Sequence, residues 1–197
     1  MTGHERRALL LPYLAAMLRE NEHVNLTAIR DPKAAEVLHV DDSLAIAGAD
    51  LHPSDCLDLG SGNGFPGVAL RVLFPDARVT LIERTRKKVL AIERALAGSG
   101  LEPVATLCMD AQQAPALEPG LRKRFDLVTA RAVGKPREVA RLARPFLAAS
   151  GTLAMWLDTD TEAPAALEPR LRLLRVLAYE LGEPAPRQRR IALYSAG

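Results

Sequence analysis

Cysteine is nearly absent from this chain of 197 residues, with Cys56 and Cys108 its only two. So sparse a complement makes no disulfide framework. Both cysteines fall in apolar runs that read as strands, where a buried, reduced thiol is expected, and a reducing, cytoplasmic setting follows. Metal-ligand spacing is missing too. His4, His23, His39 and His52 are scattered and pair with no cysteine, so no metal is expected. No run of 18 apolar residues occurs, so no membrane span is expected. An excess of one charge is also lacking. The 26 basic and 24 acidic side chains leave a formal charge of +2, which excludes an evenly basic polyanion binder.

What is present is ordinary globular composition, 48% apolar and 25% charged, in a length that suits one domain with a real core. Near the N-terminus Leu10, Leu14, Met17 and Leu18 recur at amphipathic helical spacing, and no small-residue cleavage site follows. Asp31-Pro32 reads as a helix start, with the helix running to about Ala47. From residue 54 short apolar runs alternate with helical patterns. Strands are expected at Cys56–Leu59, Arg78–Glu83, Val104–Met109, Phe125–Arg131 and Thr152–Leu157, with helices near 66–74, 85–98, 112–117 and 136–148 between them. That alternation predicts a doubly wound α/β sheet, mostly parallel, with helices on both faces. A short helix is expected near 162–168. Leu173–Tyr179 and Ile191–Tyr194 then read as an antiparallel hairpin at the sheet edge, separated by Pro184-Ala185-Pro186. The expected organisation is a helical cap over residues 1–50 packed on a core of residues 51–197, as a single unit.

The segment Leu57-Asp58-Leu59-Gly60-Ser61-Gly62-Asn63-Gly64-Phe65-Pro66-Gly67 follows a strand and opens a helix. Its glycines permit positive φ and close approach of a ligand. Twenty-three residues after Gly60 the next strand ends in Glu83, whose carboxylate suits the two hydroxyls of a ribose. A nucleoside-containing cofactor is therefore expected, and two kinds fit. Gly62-x-Gly64-x-x-Gly67 matches a dinucleotide fingerprint, as in a nicotinamide oxidoreductase. Asp58-x-Gly60-x-Gly62-x-Gly64 matches the S-adenosylmethionine loop of class I methyltransferases. There the acid at Asp58 suits a sulfonium with its α-amino group better than a pyrophosphate. Asp110 ends the third strand, a place that in methyltransferases meets the adenine amino group.

Several further motifs carry a resemblance. Asn25-Leu26-Thr27-Ala28, Arg30-Asp31-Pro32 and His39-Val40-Asp41-Asp42-Ser43-Leu44 precede the glycine loop. Glu83 is followed by Lys87-Lys88-Val89, and Thr129-Ala130-Arg131-Ala132-Val133 comes later. Together with Gln188-Arg189-Arg190 these make the chain resemble the ribosomal small subunit methyltransferase G family, also called glucose-inhibited division protein B. The resemblance implies a class I, Rossmann-like methyltransferase that uses S-adenosylmethionine to methylate guanine N7 in a loop of 16S ribosomal RNA, free or in the small-subunit particle, and a monomer is expected. It also implies a cofactor site of Asp58, Gly60, Ser61, Gly62, Gly64, Phe65, Glu83, Asp110, Ala111, Gln112 and Arg131. Arg131 and Asn25 are the candidates for orienting the acceptor. Two departures stand out. Leu157-Asp158 occupies the place of a usual Lys-Gly, and Asp110-Ala111-Gln112 that of a frequent Arg-Ala-Glu. Another RNA or a small molecule as acceptor stays an alternative.

The chemistry fits by elimination. Guanine N7 carries a free lone pair, so its methylation needs alignment and no general base. No Asn-Pro-Pro-Tyr motif follows the fourth strand, which disfavours adenine amine methylation, and neither cysteine follows a proline, which disfavours a covalent adduct to a pyrimidine. The near-neutral total also hides local excess. Residues 122–144 hold eight basic side chains against two acidic ones, and 187–190 hold three arginines. Arg84, Lys87, Lys88, Lys135, Arg137, Arg189 and Arg190 are therefore the candidates for a phosphate-binding rim on the cofactor side of the sheet.

Overall fold

The computed structural model describes residues 1–168 and 170–196. Helix α1 (Gly3–Asn21) is closed at its start by a capping box, in which Thr2 and Glu5 satisfy each other's backbone donors. A second helical stretch follows over residues 32–49. Its first turn, α2 (Pro32–Ala35), is capped by the Asp31 side chain. The stretch then widens into a π-turn (Glu36–Asp41), returns to α3 (Asp42–Leu44), and tightens into a 3-10 turn (Ala45–Ala49). It stops at Asp50, whose left-handed φ of 52° breaks the spiral.

The sheet begins with β1 (Asp55–Leu59), which leads through the glycine loop into α4 (Gly67–Leu73). Next come β2 (Arg78–Glu83), α5 (Arg86–Ala97), β3 (Ala105–Cys108), the short α6 (Ala114–Leu117), β4 (Phe125–Arg131) and α7 (Pro136–Ala143). The long β5 (Leu147–Asp158), the short β6 (Ala166–Glu168), β7 (Leu171–Leu181) and β8 (Arg187–Ser195) finish the sheet. The spatial order is β3-β2-β1-β4-β5-β8-β7-β6. Strands β1 to β5 are parallel, and β8 enters antiparallel between β5 and β7.

Strand pleating divides the core into two layers. Cys56, Leu81, Leu127, Ala154, Trp156 and Ile191 bury one face against α1, α4 and α5, while Leu57, Ile82, Val128, Met155 and Tyr194 bury the other against α7. Central strands carry apolar side chains on both sides, so they read as continuous apolar runs. Helix α1 contributes Leu10, Tyr13, Leu14 and Met17 to the first layer.

Three expectations are corrected. Residues 162–168 contain no helix. Pro164 deprives that segment of a helical donor, and Ala166–Glu168 pairs as an edge strand with β7. The helix expected to reach 148 ends at Ala143, because Pro145 follows and Leu147 already pairs with Phe125. Cys108 is exposed, since β3 lies at the sheet edge, whereas Cys56 is buried. Among the described residues no helix is long and apolar enough to cross a membrane.

Gly64 explains how the cap meets the loop. Its φ is 90°, and a Cβ there would stand 2.0 Å from the Tyr13 hydroxyl, which donates to the Asn63 carbonyl at 2.9 Å. Gly64→Ala is expected to cost about 2–4 kcal/mol of unfolding free energy in urea, by strain and overpacking together. Tyr13→Phe, which loses only the hydrogen bond, is expected to cost about 1 kcal/mol in the same titration.

Candidate active site

The strand order reverses between β1 and β4, and in such sheets the crevice lies beyond the carboxyl ends of the strands. The loop after β1 is held open there by positive φ at Gly60 (64°) and Gly62 (55°). A Cβ at Gly62 would meet only the Gly60 carbonyl, at 3.7 Å, so this stretch of backbone is accessible. Ser61 anchors it from below, its hydroxyl donating to the Asp58 carbonyl at 3.1 Å.

Asp58 does not offer its carboxylate to the crevice, contrary to the expectation of a cation partner. It is fully buried, accepting from the Thr129 hydroxyl at 2.7 Å and the Gly67 amide at 3.2 Å. Burial pushes its pKa up to about 6, against those two hydrogen bonds and the charge of Arg131. Asp58 is a brace that ties β4 and the start of α4 to the loop.

Glu83 does face the crevice. Its Oε2 accepts from the Gly62 amide at 3.1 Å and its Oε1 from the Thr85 amide at 2.8 Å, which fixes the carboxylate in place with further acceptor capacity on each oxygen. A cavity of about 410 Å³ opens beside it, lined by Gly60, Ile82, Glu83, Arg84, Thr85, Lys88, Met109, Asp110, Ala111, Gln112, Val133 and Leu142. Asp110 accepts from the Gln112 amide at 2.8 Å, so these two shape the far wall together. The volume, and a lining that sets Ile82, Met109, Val133 and Leu142 beside Glu83, Thr85, Asp110 and Gln112, suit a nucleoside with its apolar base face and polar ribose.

A second depression of about 440 Å³ shares Gly60, Glu83 and Lys88 with the first. Its other walls include Leu26, Thr27, His39, Asp42, Asn63, Arg131, Ala132, Asp158, Arg187 and Arg189. Its floor is a polar network centred on Asp42, whose side chain is 2% exposed. Asp42 accepts from Arg131 Nη1 at 3.1 Å, Arg189 Nε at 3.2 Å and the Tyr179 hydroxyl at 2.7 Å. The Asp42 carbonyl accepts from the Trp156 indole at 2.9 Å. Burial works against the Arg189 charge, but Asp42, Tyr179 and Asp158 together outweigh it, so that guanidinium titrates above its ordinary value. The hydroxyl of Tyr179 is raised, by burial first and by the Asp42 charge second.

His39, one turn before Asp42, links two loops. It contacts Thr27 Oγ1 at 3.1 Å and Asn63 Nδ2 at 3.2 Å, and its ring stacks on Phe65 at 6.0 Å between centroids. Burial, followed by the nearby Arg131 charge, pushes its pKa down to about 3. Asn21 holds the Thr27 loop, its Oδ1 accepting from the Leu26 and Thr27 amides at 2.8 and 2.9 Å. Ala132 sits at φ 56°, a strained conformation in the crevice wall.

The remaining expected residues divide. Arg84 and Lys88 reach the cavity rim. Gly64 is a packing residue of the loop, lying under Tyr13, whereas Phe65, 2% exposed between Tyr13 and His39, also lines the second depression. Asn25 is exposed and lines neither depression; its neighbours Leu26 and Thr27 line the second. Lys87, Lys135 and Arg137 are exposed and also lie outside both. Arg189 is committed to Asp42 and Asp158, and Arg190 donates to the carbonyls of Thr159 and Thr161, so neither guanidinium is free for phosphate. The basic run does not form one rim either. Arg122, Lys123 and Arg124 precede β4, at the sheet end away from the crevice, and Arg124 pairs with Asp55 at 2.8 Å. Tyr13, Asn21, Asp42, Asn63 and Tyr179 were given no role from the sequence. For His39 and Asp42 a signal existed. Ala35, His39, Asp42 and Ile46 share one helical face, and two of these four are polar.

Comparison with known proteins gives two results. Residues 6–165 match the family described as rRNA small subunit methyltransferase G. A protein of Sorangium cellulosum named "Ribosomal RNA small subunit methyltransferase G" is 41% identical over 157 residues, covering 75% of this chain and 62% of its own length. One of that name from Dehalococcoides mccartyi is 32% identical over 176 residues, covering 86% of this chain and 74% of its own. Among solved structures, a mutant of MtNAS in complex with S-adenosylmethionine superposes with a TM-score of 0.59 at 15% identity, over 92% of this chain and 72% of that one. TrmN from Thermus thermophilus superposes with a TM-score of 0.57 at 22% identity, over 78% and 47%. Both likenesses establish the fold alone, an α/β Rossmann-like methyltransferase fold.

Asp42→Asn keeps the shape of the network and removes its negative charge, which leaves Arg131 without a carboxylate and Arg189 with Asp158 alone. It is expected to lower unfolding free energy by about 3–5 kcal/mol in urea titrations. His39 sets a pH dependence of its own. Its folded pKa of about 3 lies below the ordinary 6.5, so its contribution is complete above pH 6.5 and drains away as pH falls towards 3, where the unfolded chain takes the proton first. Between pH 6.5 and 4 the wild type should lose about 1.4 kcal/mol per pH unit relative to His39→Gln. Asp58 is common to both proteins and cancels in that comparison.

Proposed function

The chain belongs to the rRNA small subunit methyltransferase G family, and on that footing we propose that it methylates N7 of a guanine in small-subunit (16S) ribosomal RNA with S-adenosylmethionine. The observation that carries this reading is the pair of adjoining depressions that share Gly60, Glu83 and Lys88. The first fits the nucleoside half of such a cofactor. Glu83 accepts the two ribose hydroxyls, Gly60 and Gly62 let it lie against backbone, and Asp110 with Gln112 bounds the base. When bound, S-adenosylmethionine supplies an electrophilic methyl group on a sulfonium centre.

The protein's own part is orientation. N7 has its lone pair available at neutral pH, so no residue has to remove a proton, and rate comes from alignment of acceptor, carbon and sulfur. His39 is held neutral and takes no proton-transfer role. Arg131 is fixed through Nη1 by Asp42, while its Nη2 makes only long contacts of 3.4 Å with His39 and Asn63. That loosely held donor suits guanine O6, leaving N7 uncovered. Because N7 lies in the deep, narrow major groove of A-form RNA, the acceptor nucleotide is unpaired or splayed from its loop. Arg84, Lys88 and Arg187 line the depressions and meet its phosphates. The chain acts as a monomer.

Small-subunit particles from cells lacking the family enzyme, incubated with this protein and labelled S-adenosylmethionine, should gain one methyl group, mapped to N7 by chemical cleavage at 7-methylguanine. A methyl group at another atom or in another RNA overturns the acceptor assignment. In calorimetry S-adenosylhomocysteine should bind, and Glu83→Ala should weaken it by at least about tenfold, since a buried charge-assisted hydrogen-bond acceptor is lost. NADH binding that quenches with the same Glu83→Ala change would favour an oxidoreductase instead. Lys88→Ala should raise KM for the particle and flatten its dependence on salt by about one phosphate contact.

A further inference from the structure

Three acidic side chains line the second depression, and they differ in what they have left to give. Asp42 is buried beneath two guanidinium groups and a phenol, its side chain 2% exposed. Glu83 is engaged by two loop amides on the cofactor side. Asp158, at the end of β5, has a side chain that is 73% exposed. Its Oδ1 meets Arg189, and its Oδ2 has no partner among the described residues. A free carboxylate oxygen in a crevice wall that also holds Lys88, Arg131, Arg187 and Arg189 repels phosphate at that one point and leaves it to Lys88 and Arg187. Its chemistry selects hydrogen-bond donors instead.

Guanine is the RNA base that presents two adjacent donors, N1–H and the N2 amino group, beside the acceptor O6. Sheet register puts residues for both halves of this edge side by side. Arg131 pairs with Trp156 on the neighbouring strand, and Asp158 lies two residues further along that strand. Two residues of rise and one strand spacing separate the two backbones by about 8 Å, a span that a purine edge bridges once side chains reach in from either end.

We propose that Asp158 is a specificity-determining residue that accepts from N1–H and the N2 amino group of the acceptor base, while Arg131 donates to O6. This rests on the guanine reading above and extends it to the opposite edge of the base from N7. Adenine is rejected because its unprotonated N1 points a lone pair at the carboxylate. Arg189 occupies Oδ1, which leaves Oδ2 for the base.

The test uses the full-length protein and small-subunit RNA ligated from segments, with guanosine or inosine at the mapped acceptor position. Inosine keeps N7, O6 and N1–H and lacks only the N2 amino group. The wild type should prefer guanosine by about tenfold in kcat/KM, the order expected when one charge-assisted hydrogen bond at the crevice mouth is lost. Asp158→Ala should lower kcat/KM on guanosine by about thirtyfold and reduce the guanosine-to-inosine ratio to about 1, and Asp158→Asn should fall between. Thermal midpoint and S-adenosylhomocysteine affinity certify each variant as folded. If Asp158 acts only by holding Arg189, both substrates fall together and the wild-type preference survives, which overturns the proposal. Equal use of guanosine and inosine by the wild type overturns it without any variant. If the wild type methylates no guanine N7 in the particle, the acceptor assignment falls and this proposal with it.

Discussion

A buried carboxylate with more than one cationic partner is the constraint from which the crevice is built. Asp42 cannot stay charged inside the protein alone, and Arg131 and Arg189 cannot either. The three are tolerated together because Tyr179 and the Trp156 indole complete the set of donors around Asp42. The network therefore fixes four separate pieces of chain at one point: the helical stretch at 42, β4 at 131, β5 at 156 and the β7–β8 hairpin at 179 and 189. The walls of the second depression come in part from those same pieces. The π-turn that carries His39 belongs to the same arrangement, since a wider turn is what lets His39 reach Asn63 while Asp42 reaches the arginines.

The cofactor side is held by a different device. Its loop glycines divide by job. Gly60 and Gly62 adopt left-handed φ and leave backbone open to the crevice, while Gly64 makes room for Tyr13 and Gly67 for Leu81 and Asp58. A glycine-rich signature is thus a mixture of ligand contact and internal packing. Asp58 and Glu83 divide in the same way. Both sit at strand ends, but Asp58 points back beneath the loop and Glu83 points out, so only Glu83 has acceptor capacity facing the crevice.

Much of the parallel sheet was legible in the sequence, and β2 and β4 coincide with their expected bounds because apolar runs buried on both faces are cut off sharply by turn residues. The hairpin was legible too, although each strand is longer than its apolar run, since polar residues such as Glu180 and Arg187 continue the ladder in pairs that hydropathy does not mark. The region around 162–168 was misread because alanine and leucine favour a helix locally while Pro164 and pairing with β7 decide otherwise. The basic excess of residues 122–144 was real, but the seven residues of β4 carry the chain about 23 Å from one end of the sheet to the other. Charges adjacent in sequence therefore lie on opposite ends. Asp42 was invisible as a centre because its partners lie 89 and 147 residues away. Nothing local in a helix reports such a partner.

Those separations have a consequence for the making of the protein. Arg189 lies in the last strand to enter the sheet, and it enters between two strands already made, so β5 has its antiparallel neighbour only after β8 arrives. Contacts this far apart in sequence close late, because the entropy of a long loop must be overcome before they form. On a ribosome the glycine loop and Glu83 are made long before Arg189. A nascent chain therefore carries Asp42 for most of its synthesis without its second guanidinium partner. Chains that stop short of residue 189 stay in that condition, with Asp42 left to Arg131 and Tyr179.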